Sequence, residues 1–67
     1  MIYLNGNPHD DGAVHTVADA LRALDLAPDA RGVAVAVDGE VVPRAGWGTF
    51  ALPEGARVEV LSAMQGG

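Results

Sequence analysis

Val33-Ala34-Val35-Ala36-Val37 is apolar at every position and runs straight into Asp38-Gly39 and then Glu40-Val41-Val42. A strand without polar alternation belongs inside a sheet, covered on both faces, rather than at an edge. Asp-Gly between two β-rich segments is a strong hairpin signal, because a type I′ turn needs positive φ at both central residues. Pro43 ends the second arm, since it has no N–H to give to a ladder. This hairpin must be buried by very little chain. The protein has 67 residues and no cysteine, so it makes one thin core without a disulfide framework, a thiolate nucleophile or a Cys-ligated metal. A self-contained enzyme with a deep pocket is not expected.

The cover comes from the first half. Thr16 has the character of a helix N-cap, with Asp19 three residues on as a capping-box partner. Val17, Ala20, Leu21 and Leu24 follow at i, i+3, i+4 and i+7, one apolar stripe on a helix of about nine residues that Pro28 is expected to stop. Met1 to Leu4 reads as a first strand broken by Asn5-Gly6-Asn7-Pro8, with Ala13-Val14-His15 as a short returning strand, although Asn-Gly can also close a hairpin at once. Arg57-Val58-Glu59-Val60-Leu61 alternates, which places Val58 and Val60 inward and Leu61 on the outer face with Arg57 and Glu59. Arg44 to Pro53 reads as irregular chain.

Hairpin, helix, hairpin and a last strand make an α+β fold. One short helix covers a four- or five-stranded mixed sheet only if the sheet wraps around it. The first and last strands are then expected to lie parallel in the middle, joined by a right-handed crossover. This is the β-grasp, or ubiquitin-like, arrangement. Residues 1–62 form the expected domain and 63–67 a flexible C-terminal tail.

Charge narrows the partners. The chain carries 4 basic against 9 acidic residues, a net charge of −5. All the basic ones are arginines, at 22, 31, 44 and 57, too scattered to neutralise a row of phosphates. Nucleic acid is therefore not an expected partner. No apolar run approaches the ~20 residues of a membrane span, and no basic n-region precedes one. A cytoplasmic protein is expected, whose acidic balance steers it toward basic surfaces on its partners.

Few side chains carry chemistry. His9 and His15 are not at metal-ligand spacing and read as solvated or capping residues. Gly46-Trp47-Gly48 does not stand at a strand-to-helix junction and is no phosphate loop. Trp47 is expected in the core, with a partner anchor as the other reading. Gly66-Gly67 remains. Glycine is ~7% of ordinary sequence, so a terminal pair arises by chance in roughly half a per cent of chains, and in about two per cent at this chain's own content of 9 in 67, which makes the pair alone only suggestive. A carboxylate on a tail whose last two residues have no side chain can enter a narrow active site on another protein. Extended, Ser62 to Gly67 reaches at most ~20 Å from the sheet. At its end the carboxylate can attack the α-phosphate of ATP, giving an acyl adenylate open to a sulfur or amine nucleophile.

Several segments together resemble the small sulfur carrier proteins of thiamin biosynthesis. They are Thr16-Val17-Ala18-Asp19-Ala20-Leu21…Leu24, Val33 to Arg44 with Trp47 three residues later, Leu52…Glu54-Gly55…Val58-Glu59-Val60, and Gly66-Gly67. The resemblance covers essentially the whole chain, and Val41-Val42-Pro43-Arg44 with Trp47 is its most specific part. It implies that an E1-like adenylyltransferase activates Gly67 with ATP, and that sulfur from a cysteine desulfurase-type donor makes a thiocarboxylate. Thiazole synthase then takes the sulfur for the thiazole ring. The carrier is a co-substrate, not an enzyme, and binds no cofactor of its own. Gly67 maps onto the modified glycine and Gly66 onto its partner, with Gln65 and Met64 as tail-recognition positions. Leu61 and Glu59 are the expected docking residues on the sheet. Met64 departs from the smaller aliphatic residue usual there, and Ala56 stands where the family usually has Asp, which reads as a turn preference. Two other fates suit such a tail: sulfur supply to another product, as in the small subunit of molybdopterin synthase, or amide linkage to target lysines as a ubiquitin-like modifier. A plain interaction domain with an incidental Gly pair is the remaining alternative.

Overall fold

The computed structural model describes residues 1–10 and 12–62. Its elements are β1 (Ile2–Leu4), β2 (Asn7–His9), α1 (Val17–Ala23), β3 (Val33–Val37), β4 (Glu40–Val42), a 3-10 turn (Arg44–Gly46) and β5 (Arg57–Ser62). They form one five-stranded sheet in the order β2-β1-β5-β3-β4. β1 and β5 are parallel, and all other pairings are antiparallel. The expected wrapped sheet with its first and last strands side by side is present.

Both hairpins close on two-residue turns. Asn5 and Gly6 have φ of 52° and 85°, and Asp38 and Gly39 have 51° and 85°, the positive pair that type I′ requires. The first hairpin therefore closes at once. The returning strand is Asn7–His9, not the expected Ala13–His15. Pro8 is tolerated there because it lies opposite Tyr3, between the hydrogen-bonded pairs of the ladder. Its missing N–H would have faced away from β1, so Pro8 also blunts an exposed edge.

The helix is seven residues long and begins with the anticipated capping box. Thr16 Oγ1 accepts the Asp19 N–H at 3.2 Å, and Asp19 Oδ2 accepts the Thr16 and His15 N–H groups at 3.2 and 3.0 Å. The two remaining N-terminal donors turn to the segment after the 3-10 turn: Val17 N–H donates to Phe50 O and Ala18 N–H to Trp47 O, at 3.2 and 3.0 Å. Pro28 does not end the helix. Asp25 does, at φ 62°, with its N–H donating to Arg22 O and the Leu26 N–H reaching back to Leu21 O. That is a Schellman closure with aspartate where glycine is usual.

The core lies between α1 and the inner face of the sheet. Leu4, Val17, Ala20 and Leu21 are completely buried, and Val35, Val58 and Trp47 nearly so. Trp47 is thus a core residue, 2% exposed, with its Nε1–H donating to Val42 O at 2.8 Å. Two expectations need correction. β3 is covered on one face only: Val35 and Val37 are buried, whereas Ala34 is exposed. Alanine makes the outer side apolar without being buried, which hides the alternation. Ala56 is 1% exposed and belongs to the core, so its small side chain reflects packing rather than turn preference. No helix among the described residues is long and apolar enough to cross a membrane.

Two measurements follow from the ends of the helix. Asp25→Gly relieves a left-handed backbone at a non-glycine residue and should stabilise the domain by about 0.5–1 kcal/mol in urea unfolding. At the other end, the N–H groups of His15 and Thr16 hold the Asp19 carboxyl below its ordinary value of 3.8. A carboxyl depressed in the folded state contributes stability above its unfolded value and loses it as pH falls through the folded one. Stability should therefore drop as pH falls below 3.8, and Asp19→Asn should show a smaller drop over the same range.

Candidate functional site

The last strand stands at the middle of the sheet, and the two hairpin turns grip it from either side. Toward β1, Tyr3 N–H donates to Ala56 O (2.9 Å) and Asn5 N–H to Val58 O (2.8 Å). Asn5 Oδ1 then accepts the Val60 N–H at 2.8 Å. Toward β3, Asp38 N–H donates to Arg57 O (2.8 Å) and Asp38 Oδ1 accepts the Arg57 N–H (3.0 Å). Asn and Asp are the residues that tolerate a left-handed turn and also carry a short acceptor. One residue choice thus serves turn and strand together.

β5 presents Arg57, Glu59 and Leu61 outward, as the alternation predicts. The register sets Leu61 opposite Ala34, and Ala36 between Glu59 and Val41. Leu61 is 69% exposed and Val41 75%, so an apolar strip crosses β5, β3 and β4 on the face away from the helix. At its lower end the Arg57 guanidinium lies over the Tyr3 ring, 5.9 Å from the centroid, within cation–π range. Leu61 and Glu59 are where the sequence places them. Val41 was missed, although the signal was present. Once Asp38-Gly39 closes the hairpin, residue 41 pairs with residue 36 and shares its outward face.

The other candidates separate cleanly. His9 and His15 border one shallow depression with Asp10 and Glu54, a proximity that their spacing in sequence does not suggest. Among the described residues, no group of three or more His, Cys, Asp or Glu side chains is placed to hold a metal ion. The Met1 ammonium pairs with Glu54 on the rim of the same depression. Met64, Gln65, Gly66 and Gly67 lie outside the described residues. What the structure supplies is their point of departure: Ser62, at the end of the central strand and beside Leu61.

The arrangement has counterparts. Residues 2–67 match the ThiS family. A crystal structure of the thiamine biosynthesis protein ThiS from Geobacter metallireducens superposes with a TM-score of 0.73 at 30% identity, covering 91% of this chain and 90% of that one. The solution structure of a thiamine biosynthesis protein from the same organism gives 0.71 at 32% identity, covering 90% of this chain and 78% of that one. No curated protein sequence matches the chain. A family match across nearly every residue, on the wrapped five-stranded sheet described above, means that the chain belongs to the ThiS family of ubiquitin-like sulfur carriers.

Proposed function

We propose that this protein carries sulfur for thiamin biosynthesis on the carboxyl group of Gly67. The observation that carries the reading is the family match running through Gly67, five residues beyond the end of the central strand. An E1-like adenylyltransferase binds the carrier and ATP. A Gly67 carboxylate oxygen attacks the α-phosphate, pyrophosphate leaves, and an acyl adenylate forms. The outer sulfur of a persulfide, drawn from cysteine through a desulfurase-type donor, attacks the carbonyl carbon and AMP leaves; a thiol then cleaves the acyl disulfide, ending in a disulfide with the donor's inner sulfur. The resulting thiocarboxylate passes its sulfur to thiazole synthase, and the free carboxylate returns.

In this cycle the carrier supplies an acyl group and a shape, and its partners supply the catalysis. Gly66, Gln65 and Met64 are the residues a partner meets while threading Gly67 into its active site. Glycine suits the last two positions, since a Cβ would widen the chain and restrict φ. Leu61, Val41 and Glu59 form the docking surface on the outer face of the sheet, beside the root of the tail. Burying exposed apolar side chains of this kind is what anchors protein interfaces. The net charge of −5 favours basic partner surfaces and speeds encounter at low salt.

Intact-protein mass spectrometry tests the chemistry. After incubation with ATP, cysteine and an extract of its own cells, the chain should gain the mass of one oxygen replaced by sulfur, and the gain should vanish when Gly67 is deleted. High-mass adducts released only by proteolysis would instead make it a modifier. No change, in an extract that thiolates another carrier, would overturn the reading. The docking surface has its own test. Leu61→Asp and Val41→Asp should each lower kcat/KM for adenylation at least about tenfold, while unfolding free energies stay within about 0.5 kcal/mol, because both side chains are exposed. Unchanged adenylation kinetics in both variants would remove the outer face from the interface.

A further inference from the structure

We propose that β5 is left one step unpaired beyond Asn5 so that an extended segment of the adenylating partner completes the sheet there. The proposal rests on the carrier function given above. In the antiparallel ladder with β3, Asp38 and Arg57 form a hydrogen-bonded pair, so by alternation the pairs Ala36–Glu59 and Ala34–Leu61 do as well. Val58, Val60 and Ser62 therefore turn their N–H and C=O groups to the other side, toward β1. There Val58 O and the Val60 N–H are both taken by Asn5, through its backbone N–H and its side chain. β1 has already ended at Leu4, and the chain turns away at Asn5-Gly6.

The next two groups in the row, Val60 O and the Ser62 N–H, have no partner among the described residues. In a parallel ladder, a single residue of a neighbouring strand would satisfy both, donating to Val60 O and accepting from Ser62 N–H. Ser62 is exposed, so the position is open. The gap lies beside Leu61 and one residue before the tail. A segment added there would hold the start of the tail straight as it enters an active site. A row this short gives too few hydrogen bonds to hold two copies together by itself, and two chains of net charge −5 repel each other. The occupant is therefore a strand of the larger enzyme, whose affinity comes from other contacts as well. Addition of a strand to a free edge is a common mode of recognition.

Backbone hydrogen exchange tests the proposal. In the free carrier the Ser62 amide should exchange rapidly and the Leu61 amide, bonded to β3, slowly. With the adenylating enzyme at saturation, the Ser62 amide should slow at least about tenfold, and a semisynthetic chain with an ester in place of that amide should show an about 3- to 10-fold higher KM, the worth of one hydrogen bond. Protection of Ser62 in the free chain, or protection that grows with carrier concentration alone, would overturn the proposal, the second because the occupant would be another copy. So would an unprotected Ser62 amide in the complex, or an ester variant with the parent KM. Failure of the unmodified chain to be adenylated at all would refute the carrier reading itself and the proposal with it.

Discussion

Everything in this fold depends on the chain's last strand being its middle one. β5 pairs with β1 in parallel and with β3 in antiparallel fashion, and Val58 at its start is buried under the helix. Neither hairpin can be joined to the other without it. The parallel pairing is made between residues more than fifty positions apart, so a long loop must close before it can form. Asn5 and Asp38 reduce the uncertainty of that step. Each is fixed in place by its own local turn, and each offers the incoming strand a side-chain acceptor.

The same constraint accounts for the division of labour between the two faces. The inner face is filled by Leu4, Val35, Val58, α1 and Trp47, and the loop from Arg44 to Pro53 closes over the start of the helix. This leaves the outer face with small or exposed groups: Ala34, Ala36, Val41, Glu59 and Leu61. Among the described residues no second layer covers them. The proposed carrier function uses this shortage, because an uncovered apolar strip beside the root of a reactive tail is a surface a larger enzyme can grasp.

The helix shows how a minimal domain satisfies its polar ends. Its leading N–H groups are all occupied, by Thr16 and by the carbonyls of Trp47 and Phe50. The positive end of the helix therefore faces protein, not ligand, and supports the fold rather than an anion site. Trp47 works twice here. Its ring fills the core while its Nε1–H fixes Val42 O and its own carbonyl caps the helix, which ties β4, the 3-10 turn and α1 into one unit.

Local chemistry was enough to determine the capping box at Thr16 and Asp19, the Asp38-Gly39 hairpin and the alternation of β5. Each depends on residues within a few positions of one another, where spacing and side-chain type decide the outcome. Tertiary structure decided what local pattern could not. Pro8 proved compatible with a strand because of its register against Tyr3. Asp25 ended the helix ahead of Pro28 because Leu26 could reach back to Leu21. Ala34 proved to be on the open side of the sheet, which an unbroken apolar run conceals, since alanine is apolar without needing burial. Val41 joined the outer strip through pairing with Ala36, and the unpaired step on β5 exists only because β1 stops at Leu4. Those are consequences of which strand lies beside which, and strand order is set by the packing of the whole chain around one helix.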